Sequence, residues 1–237
     1  PGPYRAVSLP TDTSRVPEKN AHDWNGEPKI DEITVRTISD GDTLTMALQS
    51  GEIDAAYGMP YASYPLFEND AYTFTSCATS RVFFGAMNFE STIMQDPAVR
   101  QAVAMGIDKE GFVETLLGGN GYVAEGIYPE NFSFGGDAVT AADYDPEGAK
   151  QVLADAGWVD TDGDGVREKD GQKLTLRWLT YPSRQEQPLL AEAAQATLGK
   201  IGFDVVINNT ADHNRIRTDR SAWDIHVSAM VTAPTGD

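Results

Sequence analysis

Between Arg81 and Asp108 the chain reads RVFFGAMNFESTIMQDPAVRQAVAMGID, and few folds accommodate that order of residues. Val82 to Met87 is apolar or small at every position, the pattern of a buried strand, and it ends at Asn88. Asp96-Pro97 then opens a helix, with Asp as N-cap and Pro at the first helical position. Val99, Ala102, Val103, Gly106 and Ile107 fall at i, i+3, i+4, i+7 and i+8, which is one helical face. Asp108 is placed to cap a second helix directly behind. A buried strand, a polar loop and a capped helix in succession predict an α/β protein.

The flanking sequence extends that prediction. Ile33, Val35 and Thr37 alternate with polar residues as in a strand. Asp40 or Asp42 caps a helix to Ser50, with Leu44, Ala47 and Leu48 on one face and Gly51 at the C′ position. Ile53 to Tyr57 is expected as the next strand, closing a β-α-β unit with a right-handed crossover. Ligands of open α/β sheets bind beyond the carboxyl ends of strands, so Tyr57 and Tyr61 become candidate ligand contacts. The competing role for both is sealing the sheet edge. Tyr72 to Ser76 is expected as a strand, with Cys77 beside it as a buried, inert thiol.

After Asp108, Phe112, Val113, Leu116 and Leu117 predict a helix stopped by Gly118-Gly119, and residues 118–143 show no period. Asp145-Pro146 opens another capped helix, with Ala149, Val152, Leu153 and Ala156 on one face. Then come a strand over Leu174 to Leu179 and a helix over Pro188 to Ile201 with Leu189, Ala193, Ala196 and Leu198 on one side. A strand over Phe203 to Ile207, a polar helix over Asp212 to Arg220 and a last strand over Asp224 to Ala229 complete the order.

Charge narrows the function. With 36 acidic and 18 basic side chains the net charge is −18, which repels nucleic acid and anionic lipid. One cysteine excludes an internal disulfide. No run approaches the ~18 apolar residues that span a bilayer. The chain opens at Pro1 without a Met, so it is read as a piece of a longer protein, and the lack of a leader says nothing about compartment.

Candidate chemistry is sparse. Asp160, Asp162 and Asp164, followed by Gly165, match the start of a calcium loop, but position 12 is Gly171 where a bidentate Glu belongs. An Asp/Gly turn is the preferred reading, with a second turn at Asp170-Gly171. The three histidines, His22, His213 and His226, lack the spacing of a preformed metal site, although His213 or His226 suits a single bond to a metal complex. There is no G-x-S-x-G elbow, H-E-x-x-H or P-loop, so an enzyme is not expected; a catalytic dyad in a cleft would instead mark an α/β hydrolase. The scarce arginines, among them Arg81, Arg184 and Arg215, are the groups that would hold a carboxylate.

Several stretches taken together resemble one family. Asn88 followed by Asp96, Val99, Arg100, Gln101, Ala102, Ile107 and Asp108 spells its strand-Asn and D-x-x-V-R-Q-A-x-x-x-x-I-D signature. Ala47 to Asp54, Asn20 to Lys29, Tyr144 to Trp158 and Asp162 to Gly171 fit other segments in the family's order. The chain is thereby identified as a member of the family 5 extracytoplasmic solute-binding proteins, the nickel-, oligopeptide- and dipeptide-binding components of ABC importers. The resemblance implies a type II periplasmic-binding-protein-like fold, with mixed sheets flanked by helices, in two lobes that close on a solute. It implies residues 1–80 as part of lobe I and 81–237 as most of lobe II, with the family's N-terminal part and return segment lying outside the chain. It further implies an extracytoplasmic location, in the periplasm or as a lipid-anchored surface protein. Membrane permease subunits as partners, a monomeric full-length protein and no required cofactor also follow.

The resemblance also bears on the solute. Peptide-binding relatives carry G-W-x-x-D after the last strand, and its Asp receives the peptide's amino terminus; here those positions read Ala229, Met230, Val231, Thr232 and Ala233. An ammonium buried without its carboxylate is costly. LTLRWLTYPSRQEQ, from Leu174 to Gln187, resembles the nickel branch, where a small organic acid chelates the metal. That branch's cleft aromatics are replaced here by Val231 and Thr235. The ligand contacts expected on this basis are Tyr57, Tyr61, Arg81, Phe83, Asn88, Met230, Val231 and Thr232. A peptide- or opine-binding role is the alternative.

Overall fold

The structure, a computed structural model, describes residues 2–6, 14–129, 132, 134 and 139–233. Thr235 lies outside them. The chain divides into two compact units, Pro1–Pro60 and Tyr61–Asp237.

In the first unit, β1 (Tyr4–Ala6) pairs antiparallel with β3 (Pro17–Lys19), and β2 (Ser14–Arg15) with β4 (Val35–Arg36). Helix α1 (Gly41–Gln49) starts where Asp40 Oδ1 accepts the Thr43 amide at 2.8 Å, and it ends before Gly51, whose φ of 73° fits the left-handed C′ position. The expected strand over Ile53 to Tyr57 does not form. The Glu52 and Ile53 amides fold back onto the Ala47 carbonyl at 3.0 and 3.3 Å, and two-residue β4 is already paired with β2. A tryptophan among the turn-forming residues His22 to Pro28 is expected to pack behind the turn, but Trp24 is 87% exposed.

The second unit begins with a 3₁₀ segment, Tyr61–Leu66. The expected strand over Tyr72 to Ser76 is also absent. Its alternating aromatics pack locally instead: Tyr72 lies edge-on to Phe67 at 4.9 Å and Phe74 to Tyr64 at 4.8 Å. Without a strand to cover it, Cys77 is exposed, which corrects the expectation of a buried thiol.

From there the order is β5 (Arg81–Met87), α2 (Thr92–Gln95), α3 (Pro97–Gly106), α4 (Lys109–Gly111) running into a π-helical turn (Phe112–Leu116), and α5 (Pro146–Asp155). A short hairpin, β6 (Glu168–Lys169) and β7 (Gln172–Lys173), turns at Asp170-Gly171, both with positive φ as a type I′ turn demands. Then come β8 (Thr175–Thr180), α6 (Glu186–Gly199), β9 (Asp204–Asn209), α7 (His213–Thr218) and β10 (Ile225–Val231). The four-stranded sheet is ordered β5-β10-β8-β9; β8 runs parallel to β9 and β10, and β5 antiparallel to β10.

One face of this sheet carries the core. Leu174, Leu176, Trp178, Ile225 and Val227 pack with Val99, Ala102 and Val103 of α3, Ala149 and Leu153 of α5, and Ala191, Ala194 and Leu198 of α6. The stripe read on α3 is the one that is buried, with Ile107 packed at its margin. A Cβ on Gly106 would sit 2.5 Å from Ile201 Cδ1, so α3 and the end of α6 approach at glycine distance. The stripe read on α6 is out of phase: Gln187, Ala191, Ala194 and Leu198 face inward, and Leu189 is exposed. That helix is apolar around most of its circumference, so periodicity gave no bearing, and the sheet takes the small alanines.

Candidate functional site

The amino and carboxyl ends of the sheet differ in how their polar groups are used. At the amino end, Asp224 is a closed hub. Its side chain is 1% exposed, yet Oδ1 accepts from Ser91 Oγ at 2.5 Å and Arg177 Nη2 at 2.6 Å. Oδ2 accepts the Arg177 amide at 2.6 Å and Nε at 3.0 Å. Burial opposes the charge, but the hydrogen bonds from Arg177 and Ser91 together outweigh it and hold Asp224 below the usual carboxylate range. Asn88 completes the knot. Its amide donates to the Arg220 and Trp223 carbonyls at 2.6 and 2.8 Å, and its Oδ1 accepts the Glu90 amide.

At the other end, β8 and β10 terminate side by side and β5 begins. The register pairs Arg81 with Val231, Val82 with Met230 and Phe83 with Ala229, and the Thr232 amide donates to the Ser80 carbonyl at 3.1 Å. Alternation puts Arg81, Phe83 and Val231 on one face and Met230 on the other. The first turn of α6 leaves this edge with Glu186 and Gln187. Tyr61 and Tyr64 lie with ring centres 5.3 Å apart. Burial and then the Glu186 charge push both phenols up, with Arg81 pulling Tyr61 back, so Glu186 and Arg81 are within electrostatic reach of this aromatic pair. Thr180 Oγ1, both amide atoms of Gln187 and Thr232 Oγ1 are buried with no hydrogen-bond partner among the described residues.

The structure therefore gathers Tyr61, Arg81, Phe83, Met230, Val231 and Thr232 at one edge. Asn88 is at the opposite end of β5, roughly 20 Å away at ~3.3 Å per residue. Tyr57, 95% exposed, belongs to the other compact unit, and the strand end that recommended it does not exist. Sequence reading missed Tyr64 and Glu186. The i+3 spacing of Tyr64 from Tyr61 was the available signal, whereas nothing distinguished Glu186 among so many acids.

The metal candidates also separate. Asp160, Asp162 and Glu168 bring carboxylate oxygens within 4.8 Å of one another. Asp164 instead pairs with Lys173, whose Nζ is also 3.4 Å from Asp162. Asp160 caps the Gly163 and Gly165 amides at 2.7 and 3.0 Å, as an Asp/Gly turn does. His213 and His226 come together on the sheet face opposite the core, beneath α7, with ring centres 6.1 Å apart. Elsewhere, a shallow pocket of about 200 Å³ is lined by Thr92, Asp96, Trp158, Lys169, Asp170 and Gln172. Its Asp96 is already bound to the Ala98 amide, Trp158 Nε1 and Lys169, so it holds a helix start and offers no open chemistry.

A mixed sheet with helices packed on its core face and a polar carboxyl edge is the construction of a type II periplasmic binding protein. The profile of the family described as bacterial extracellular solute-binding proteins, family 5 Middle, matches residues 1–237, and the chain belongs to that family. Among curated relatives, the oligopeptide-binding protein AppA of Bacillus subtilis is 33% identical over 193 residues, covering 79% of this chain and 35% of AppA. The nickel-binding periplasmic protein of Escherichia coli is 29% identical over 192 residues, covering 79% of this chain and 37% of that protein. Among solved structures, NikA from Brucella suis in complex with Fe(III)-EDTA superposes with a TM-score of 0.88 at 26% identity, covering 98% of this chain and 48% of NikA. The chain thus spans about a third to a half of the length of these proteins. Among the described residues, no helix is long and apolar enough to cross a membrane.

Proposed function

We propose that the chain is part of the extracytoplasmic solute-binding component of an ABC importer, which captures a small solute and delivers it to membrane permease subunits. The solute we favour is nickel held by a small organic chelator. The observation that carries this reading is the carboxyl edge itself. β10 ends at Val231 and runs on into Thr232 and Ala233, which supply no carboxylate for a peptide's ammonium, while Arg81 and the Tyr61–Tyr64 pair suit an anionic, partly apolar chelate. The likeness to NikA supports it, and the higher sequence identity to AppA pulls toward peptides.

One observation favours that second reading. Glu186, within reach of Tyr61 and Tyr64, is an acid from elsewhere that can receive an ammonium group. Thermal shift of the full-length protein with nickel plus histidine, nickel alone and mixed oligopeptides separates the two. Stabilisation by nickel with histidine is expected. Stabilisation by peptides alone would replace the nickel reading with the peptide one, and no shift with any of them would remove support for solute capture.

A further inference from the structure

We propose that His213 and His226 together bind a first-row transition-metal ion, nickel(II) or copper(II), through His213 Nδ1 and His226 Nε2. The site lies beneath α7 on the sheet face away from the core, apart from the carboxyl edge, and does not depend on which solute that edge takes. His226 is 3% exposed, and its Nε2 is buried with no hydrogen-bond partner among the described residues. His213 Nδ1 is buried and unpartnered in the same way. Buried ring nitrogens in proteins are almost always hydrogen-bonded or metal-bound, because an idle one keeps the full cost of losing water.

The ring spacing admits the second option. An imidazole nitrogen lies about 1.1 Å from its ring centre, and metal–imidazole bonds run about 2.0–2.1 Å. Two rings on one ion therefore have centres at most roughly 6.3 Å apart. The observed separation is 6.1 Å, with ring planes 8° from parallel. Imidazole suits nickel(II) and copper(II), and copper(II) heads the affinity order of the divalent first-row ions. The rings are also held in place. Tyr181, 7% exposed, stacks on His213 at 4.1 Å, and Trp223, 2% exposed, packs against His226 at 6.0 Å.

Charge state agrees with the assignment. Burial first, then Arg217 and His213, lower His226 to about 4, so its ring is neutral and its lone pair available at pH 7. Arg217 opposes a cation, but it is exposed and solvent-screened. Two imidazoles make a site of modest strength, which an external chelator can complete from the half-exposed side of His213.

Copper(II) chloride added to the full chain, read by electron paramagnetic resonance, tests this directly. The expected spectrum carries splitting from two imidazole nitrogens, and nickel(II) chloride alone raises the melting temperature by a few degrees. His213→Ala and His226→Gln are read in parallel, so that a folding defect in the buried variant leaves the other to decide. Either is expected to remove the two-nitrogen pattern, while Asp160→Asn keeps it. An unchanged spectrum in His213→Ala, loss of the signal in Asp160→Asn, or no binding by the parent chain would overturn the proposal.

Discussion

The two ends of the four-stranded sheet are built from similar residues and use them differently. At the amino end, Asn88, Ser91, Arg177 and Asp224 leave no side-chain polar group idle. Toward the carboxyl end, Thr180, Gln187 and Thr232 each keep a buried polar atom without a partner among the described residues. A satisfied network fixes one arrangement and resists change, whereas idle buried groups are a standing cost of about 1–3 kcal/mol apiece. Stability is thus concentrated at one end, and the capacity to gain from a new partner at the other.

Breaking the closed end should have the largest effect. Asp224→Ala strands the Arg177 guanidinium and frees the Ser91 hydroxyl. Arg177 is 42% exposed and can be rehydrated, so the loss is expected near the low end for broken buried pairs, about 3 kcal/mol by urea unfolding. A loss below ~1 kcal/mol would show that the hub is ornamental.

Acid should attack the same region from two directions. The depressed Asp224 contributes stability that is present above its unfolded value near pH 4 and lost as pH falls through its lower folded value. His226, lowered from 6.5 to about 4, contributes stability that is full above pH 6.5 and lost progressively down to about pH 4. The size of the histidine loss is of order 3 kcal/mol. His226→Gln should flatten the stability–pH profile between pH 6.5 and 4; an unchanged slope there would assign it to other groups.

Gly106→Ala forces a methyl group against Ile201 and Leu198 and should cost about 1–3 kcal/mol in the same assay. At the open end the sign of the comparison reverses. Glu186→Gln and Tyr61→Phe should leave the unfolding midpoint nearly unchanged, with any effect confined to solute binding. For Glu186→Gln an affinity loss of about tenfold is expected only for solutes bearing an ammonium group.

Much of this architecture could be read from the sequence, for identifiable reasons. Asp96-Pro97 and Asp145-Pro146 announce helices because cap chemistry is local, and both aspartates do cap, at Ala98 and Gly148. The α3 stripe was legible because its apolar residues occupy a single face. Ile53 to Tyr57 misled because apolar spacing does not say whether a chain extends, and here the Glu52 and Ile53 amides are drawn back to the Ala47 carbonyl at the helix end. Tyr72 and Phe74 misled because alternating aromatics serve a local cluster as well as a sheet. The α6 phase was hidden by alanines on most sides. Of the site, Arg81, Phe83 and Met230 to Thr232 were placed together through the resemblance. Asn88 was grouped with Arg81, although a seven-residue strand sets the two at opposite ends of the sheet. The Asp224 hub left no trace, since its partners come from segments far apart in the chain.

The central claim, that solute is taken at the carboxyl edge while the amino end is scaffold, meets its most direct test in hydrogen–deuterium exchange of the full-length protein with and without nickel–histidine. The account predicts new protection in residues 180–187 and 230–233, with residues 88–91 and 220–224 equally slow in both states. Protection that appears at 88–91 and 220–224 and leaves 180–187 and 230–233 unchanged would contradict it.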